Sequence, residues 1–143
     1  MPVLSTDEGG QLRAVLVVDP AGAPPRPDRI IVTNIYEHVR SPAESRTGAR
    51  VLFTFNGRVW PYTERLTYTV GDSVRWRWLN PTASSHPMHL HGFYFEVDSR
   101  GSWAGDTVYR PTERRMAVTE LRPGGGTMAV RWSPARPGQW LFH

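Results

Sequence analysis

The stretch Ser85-His86-Pro87-Met88-His89-Leu90-His91-Gly92-Phe93 places three of the chain's five histidines within six residues, and a fourth, His143, closes the sequence. Neutral imidazole is the commonest transition-metal ligand and suits copper, zinc, iron and nickel. An isolated histidine is more often a half-buried structural residue. An HxxHxH cluster at the opening of a strand points instead to metal ligation, although it does not name the metal.

The elements around the cluster set its geometry. Residues 93–97 are aromatic and β-branched, so the histidine stretch entering them reads as extended. Residues i and i+2 of an extended chain share a face, which stands His89 beside His91 with Leu90 opposite. Pro87 fixes its own φ and pushes His86 away from the helical region. His86 is therefore expected in a loop just before the strand and aimed elsewhere. The spacing predicts two sites, one served by the pair and one by His86. His38 has no histidine neighbour and reads as structural or solvent-exposed.

Composition bounds the rest. At 143 residues the chain is one domain by length, and 39% hydrophobic content with six Trp is globular. No apolar run approaches the roughly 20 residues of a spanning helix. The absence of cysteine excludes disulfides, thiolate metal sites and cysteine nucleophiles within these residues. The net charge is +4 and all 17 basic residues are Arg. Arg75, Arg77, Arg114, Arg115 and Arg131 alternate with apolar residues, as outward strand faces do, so they read as dispersed solvated charges. Nucleic acid is not an expected partner.

Taken in order, residues 11–19 read as a strand and the Pro-rich residues 20–28 as a connector. Residues 29–36 and 50–55 are strands, the second ending at Asn56-Gly57, a hairpin signal. Residues 66–70 alternate. Residues 73–80 alternate strictly, with Val74, Trp76 and Trp78 on one face and Arg75 and Arg77 on the other, which predicts that both tryptophans are buried. Residues 98–106 read as a loop, and residues 115–121, 127–132 and 139–143 as further strands. No segment shows helical periodicity. Many short strands with turns between them predict an all-β sandwich or barrel.

Three stretches resemble a known family. His86-Pro87-Met88-His89-Leu90-His91-Gly92 resembles the HPxHLHG motif of multicopper oxidases, the laccase-like enzymes built from cupredoxin domains. Residues 55–61 with residues 70–75 resemble that family's "NGxxxP…GDxVRxR" entry. Residues 137–143 resemble "PGxWLFH", which in the family runs on into Cys-His. The likeness covers about residues 29–143 and implies a cupredoxin-like Greek-key β-sandwich. It also implies copper as cofactor, with His86 a ligand of type 1 (blue) copper, His89 of type 2, and His91 and His143 of the type 3 pair. The implied activity is oxidation of a small-molecule reductant with reduction of dioxygen to water.

The departures define an expectation about organisation. A blue site needs a thiolate, and the three-copper cluster needs His-x-His pairs from a second cupredoxin domain, in the same chain or a neighbouring subunit. Neither is in this sequence. The resemblance implies a piece of a longer oxidase: residues 1–19 as the tail strand of a preceding domain, 20–28 as linker, and 29–143 as a cupredoxin domain stopping before the Cys-His pair. Such a piece is expected to be inactive alone, and its final strand to fray. The family also implies a periplasmic or secreted location, with no membrane span. Two other readings compete. One is a non-catalytic copper- or zinc-binding β-sandwich module. The other is a contact domain using Trp60, Tyr62, Trp76 and Trp78 as an interface.

Overall fold

The computed structural model describes residues 15–18, 21–24, 28–38 and 50–143. Among them the chain forms nine strands: β1 (Arg29–His38), β2 (Arg50–Phe55), β3 (Val74–Leu79), β4 (His86–His89), β5 (Phe95–Ser102), β6 (Gly105–Val108), β7 (Met116–Ala117), β8 (Thr119–Arg122) and β9 (Thr127–Trp132). A single 3-10 turn at Pro111–Glu113 is the one helical element among these residues. No described helix is long and apolar enough to cross a membrane.

The main sheet runs β2-β1-β3-β9-β5-β6, with β7 paired to β5, while β4 and β8 form a separate two-stranded sheet. β1 joins two environments. Its first four residues lie parallel to β3, and Thr33 onward lies antiparallel to β2. At that change of partner the Thr33 hydroxyl reaches Met88 Sδ of β4 at 4.0 Å, tying the small sheet to the large one. β4 contains Pro87, which cannot donate to a ladder; it pairs with β8 along its length, and among the described residues its other side is bonded only at His89, past the proline.

The alternation in β3 decides what the core is made of. Val74, Trp76 and Trp78 are buried, with Trp78 wholly inaccessible, while Arg75 and Arg77 face outward. Trp78 meets Phe95 edge-on with centroids 5.0 Å apart, and Trp76 meets Phe142 at 4.8 Å. Met88, Leu90, Phe93, Val97, Met128 and Val130 complete this core. The expected burial of both tryptophans is met. The contact-domain reading loses half its surface, because only Trp60 and Tyr62 of its four aromatics are exposed.

Several expectations are corrected. The outward arginines are not dispersed. Arg75 and Arg77 both bind Asp28, and Arg75, Arg114 and Arg131 converge on Asp98, whose side chain is 7% exposed. A register shift between Val97 and Ser99 places Asp98 at a bulge in β5. Guanidinium groups committed in this way are poor candidates for a phosphate groove. Residues 98–106, expected as a loop, fold as the hairpin of β5 and β6. Residues 66–70 form no strand. The expected strand over 11–19 lies outside the described residues except 15–18, which carry no strand assignment, with Leu16 and Val18 exposed.

Arg122 of β8 is wholly buried, and no carboxylate pairs with it among the described residues. Its Nη2 donates to Thr33 Oγ1, but Nε and Nη1 have no acceptor among the described residues. Burial pushes its pKa down to about 9, so the group is still charged at neutral pH. An uncompensated buried cation opposes folding. Arg122→Met, which keeps volume and removes the charge, is expected to stabilise the fold by about 1–3 kcal/mol, read as a higher midpoint of urea denaturation. A lower midpoint would mean that the guanidinium is compensated after all.

Candidate metal centre

Three histidines from two distant parts of the chain meet at one point. His89 ends β4, and His91 follows after one residue of extended chain. Their rings lie 4.6 Å apart, so the shared face expected of i and i+2 is present. Gly92 then turns the chain with φ +82°, and a Cβ there would come within 2.4 Å of the Trp140 ring. Glycine is required on both counts. Arg136 closes the turn, donating to Gly92 O at 3.0 Å and lying over the Trp140 ring at 4.6 Å.

His143 is delivered by a short antiparallel pairing. His143 N donates to His89 O at 3.0 Å, His89 N to His143 O at 2.6 Å, and His91 N to Leu141 O at 2.9 Å. Between them Phe142 bridges to Leu90 and packs on Trp76 and Trp78. Residues 139–143, expected as a strand, form only the isolated bridge of Phe142 to Leu90, with the backbone of 141–143 bonded to 89–91. Hydrogen exchange at Leu141 and Phe142 checks whether this end frays, rapid exchange being the expected result.

One ligand atom from each of His89, His91 and His143 lies within 4.8 Å of the others. His91 Nε2 and His143 Nε2 are 3.1 Å apart. That is the separation of two imidazole nitrogens each about 2.0–2.1 Å from a shared ion and meeting at roughly a right angle. His89 Nδ1 is 2.6 Å from Thr119 Oγ1, which commits that nitrogen and leaves Nε2 for a metal. The pKa of His143 is lowered, first by desolvation and then by the charges of His89 and His91. This favours a neutral His143 imidazole with its lone pair available. A three-imidazole donor set, with no carboxylate joining it among the described residues and no cysteine in the chain, fits a borderline transition metal such as copper or zinc and does not fit calcium or magnesium.

His86 is not part of this cluster. It opens β4, paired with Arg122, rather than sitting in the loop before it. Its Nε2 is 2.9 Å from Thr82 Oγ1, and Phe53 meets its ring edge-on at 5.8 Å. The pairing of His89 with His91, and His86 aimed elsewhere, match the spacing argument, which did not include His143. Sequence reasoning missed Thr82 and Thr119, the hydroxyls that hold the rings. Thr119 is 30 residues from its histidine, and no local pattern marks it.

A family model described as multicopper oxidase matches residues 24–143. Among curated proteins, the chain is 38% identical over 66 residues to laccase-10 of Oryza sativa subsp. japonica, covering 43% of this chain and 11% of that protein. It is 31% identical over 90 residues to the iron transport multicopper oxidase fio1 of Schizosaccharomyces pombe, covering 58% of this chain and 14% of that protein. Among solved structures, the blue copper oxidase from Nitrosomonas europaea superposes with a TM-score of 0.65 at 21% identity, covering 84% of this chain and 39% of that one. The multicopper oxidase from Campylobacter jejuni, described as a metallo-oxidase, gives 0.65 at 18% identity, covering 94% and 30%. These superpositions establish the cupredoxin fold. The chain spans only a small part of the length of these laccases and oxidases.

Proposed function

Since the chain belongs to the multicopper oxidase family, with the copper cofactor that membership implies, we propose that it is the copper-binding part of an oxidase that takes electrons from a small donor and reduces dioxygen to water. In this reading His86 holds a type 1 copper, His89 a type 2 copper, and His91 and His143 the type 3 pair. Bound copper would supply one-electron redox chemistry, so that four electrons and four protons convert one dioxygen to two waters.

The chain's own residues would do the positioning. The backbone pairing of residues 141–143 with 89–91 fixes the imidazoles, and Thr119 orients His89. His91 and His143 are exposed, which leaves one side of the cluster open. Further imidazoles from a second cupredoxin domain, in the same chain or a neighbouring subunit, would complete it there. The thiolate of a blue site would likewise come from outside these 143 residues, which contain no Cys. In the domain division that follows, residues 29–143 are the cupredoxin unit, 20–28 its linker, and 1–19 part of a preceding domain. A periplasmic or secreted location fits this family.

The observation that carries the proposal is the convergence of three imidazole ligand atoms within 4.8 Å of one another. The test is copper content and dioxygen uptake, with phenolic and metal-ion reductants, by the full-length protein containing this segment. His91→Ala should lower both; unchanged copper and unchanged uptake would overturn the assignment. A second reading, a non-catalytic copper- or zinc-binding module, is favoured by the meeting of three ligands within this chain alone. Tight binding of one ion without dioxygen uptake by the full-length protein would select it.

A further inference from the structure

The backbone pairing that seats His143 against His89 and His91 stops at Gly92. Its last bond runs from His91 N to Leu141 O at 2.9 Å, and the left-handed turn at Gly92 then carries the chain away. Beyond that point side chains join the two segments. The Trp140 ring is fitted against two glycines. A Cβ on Gly92 would come within 2.4 Å of Trp140 Cε3, and one on Gly138 within 3.0 Å of Trp140 Cζ2. Phe93 meets the same ring edge-on, with centroids 5.1 Å apart. Arg136 caps this packing. Its guanidinium carbon is 4.6 Å from the Trp140 centroid and 5.3 Å from that of Phe93, and its Nη2 donates to Gly92 O at 3.0 Å. A planar guanidinium can do both at once, lying over a ring while an in-plane N–H reaches a carbonyl. No carboxylate pairs with Arg136 among the described residues, so the rings and the carbonyl are its electrostatic partners there.

We propose that Arg136 is a positioning residue for the three-histidine cluster: by tying Gly92 to Trp140 it sets the approach of His91 to His143. Gly92 directly follows His91 in sequence, and Trp140 lies shortly before His143. The ladder fixes the two histidine segments on one side of the cluster, and the Arg136 clamp fixes them where the ladder has ended. The rings of His91 and His143 are exposed, so their own packing does little to hold their Nε2 atoms 3.1 Å apart. Two imidazoles free to drift would have to be ordered again each time an ion bound, at a cost in affinity. The clamp removes that cost before ligation. This consequence rests on the metal reading of the cluster; the clamp itself does not.

The first arm of the test needs no metal. Nuclear Overhauser contacts between the ring protons of His91 and His143 report their separation in the metal-free chain. They should be present in the unaltered chain, lost in Arg136→Met, which keeps the apolar stem, and regained in Arg136→Lys, which keeps a cation and a donor. The second arm is calorimetric titration with Cu(II). Arg136→Met should weaken binding by about tenfold, the loss expected of a residue that orients a ligand, and Arg136→Lys should recover most of it. Absence of the ring contacts in the unaltered chain overturns the proposal, and so does their persistence in a folded Arg136→Met variant. A folded Arg136→Lys variant that behaves like Arg136→Met overturns it as well. If Arg136→Met does not fold, Arg136→Gln takes its place with the same expectation. The metal reading fails separately: no measurable Cu(II) binding by the unaltered chain removes that reading and leaves the ring contacts to judge the clamp.

Discussion

His143→Ala lowers the affinity of the chain for Cu(II) by at least about 100-fold while leaving the metal-free fold intact. Loss of a residue that merely orients a ligand costs 10–100-fold in metal affinity, and His143 is placed as a ligand itself. The fold should survive because the substitution removes only an exposed ring. The bonds that seat residue 143 are made by its backbone N–H and carbonyl, which alanine keeps. Stability without metal should change by less than about 0.5 kcal/mol. Calorimetric titration of the chain and the variant checks the first part, and urea denaturation the second. His86→Ala serves as the comparison, since His86 faces Thr82 and should leave affinity at the cluster unchanged. Equal copper affinity for His143→Ala and the parent chain would remove His143 from the site.

Trp78→Ala destabilises the chain by about 3–5 kcal/mol, a large part of the stability of a domain this size. The ring is wholly inaccessible and touches Phe95, Trp76 and Phe142, with centroids 5.0, 6.2 and 5.3 Å away. Relaxation cannot fill the space without moving an aromatic from another strand. Phe142 rests on this ring and lies between Leu141 and His143, so the variant should also bind Cu(II) more weakly although no ligand is altered. Denaturation of the metal-free chain gives the first effect and titration of the folded variant gives the second. A cost below about 1 kcal/mol would mean that the core does not depend on this strand's inward face.

Where side-chain chemistry alone fixes geometry, the sequence was a good guide. The strict alternation of residues 74–78 predicted both faces of β3, and the HxxHxH spacing predicted a pair apart from a third histidine. The failures have a common cause. Residues 66–70 alternate because Leu66 and Tyr68 do pack on the core, Tyr68 accepting from Trp76 Nε1 at 2.8 Å. Alternation reports which way side chains face, and the backbone there makes no ladder. Residues 98–106 are polar because β6 lies at the sheet edge and because Asp98 and Arg100 of β5 are held in ion pairs, so polarity there is compatible with pairing as well as with a loop. The arginines looked solvated because Asp28 is far from Arg75 and Arg77 in sequence. For the same reason Thr119 could not be paired with His89 before the β4–β8 register was known.

The pairing of residues 141–143 with 89–91 carries a thermodynamic corollary. An ion shared by His91 and His143 would close a loop spanning 52 positions, much as a disulfide cross-link does. Ligation would then stabilise the whole β-sandwich and not the site alone, and the unfolding transition should move upward as free Cu(II) rises above its dissociation constant.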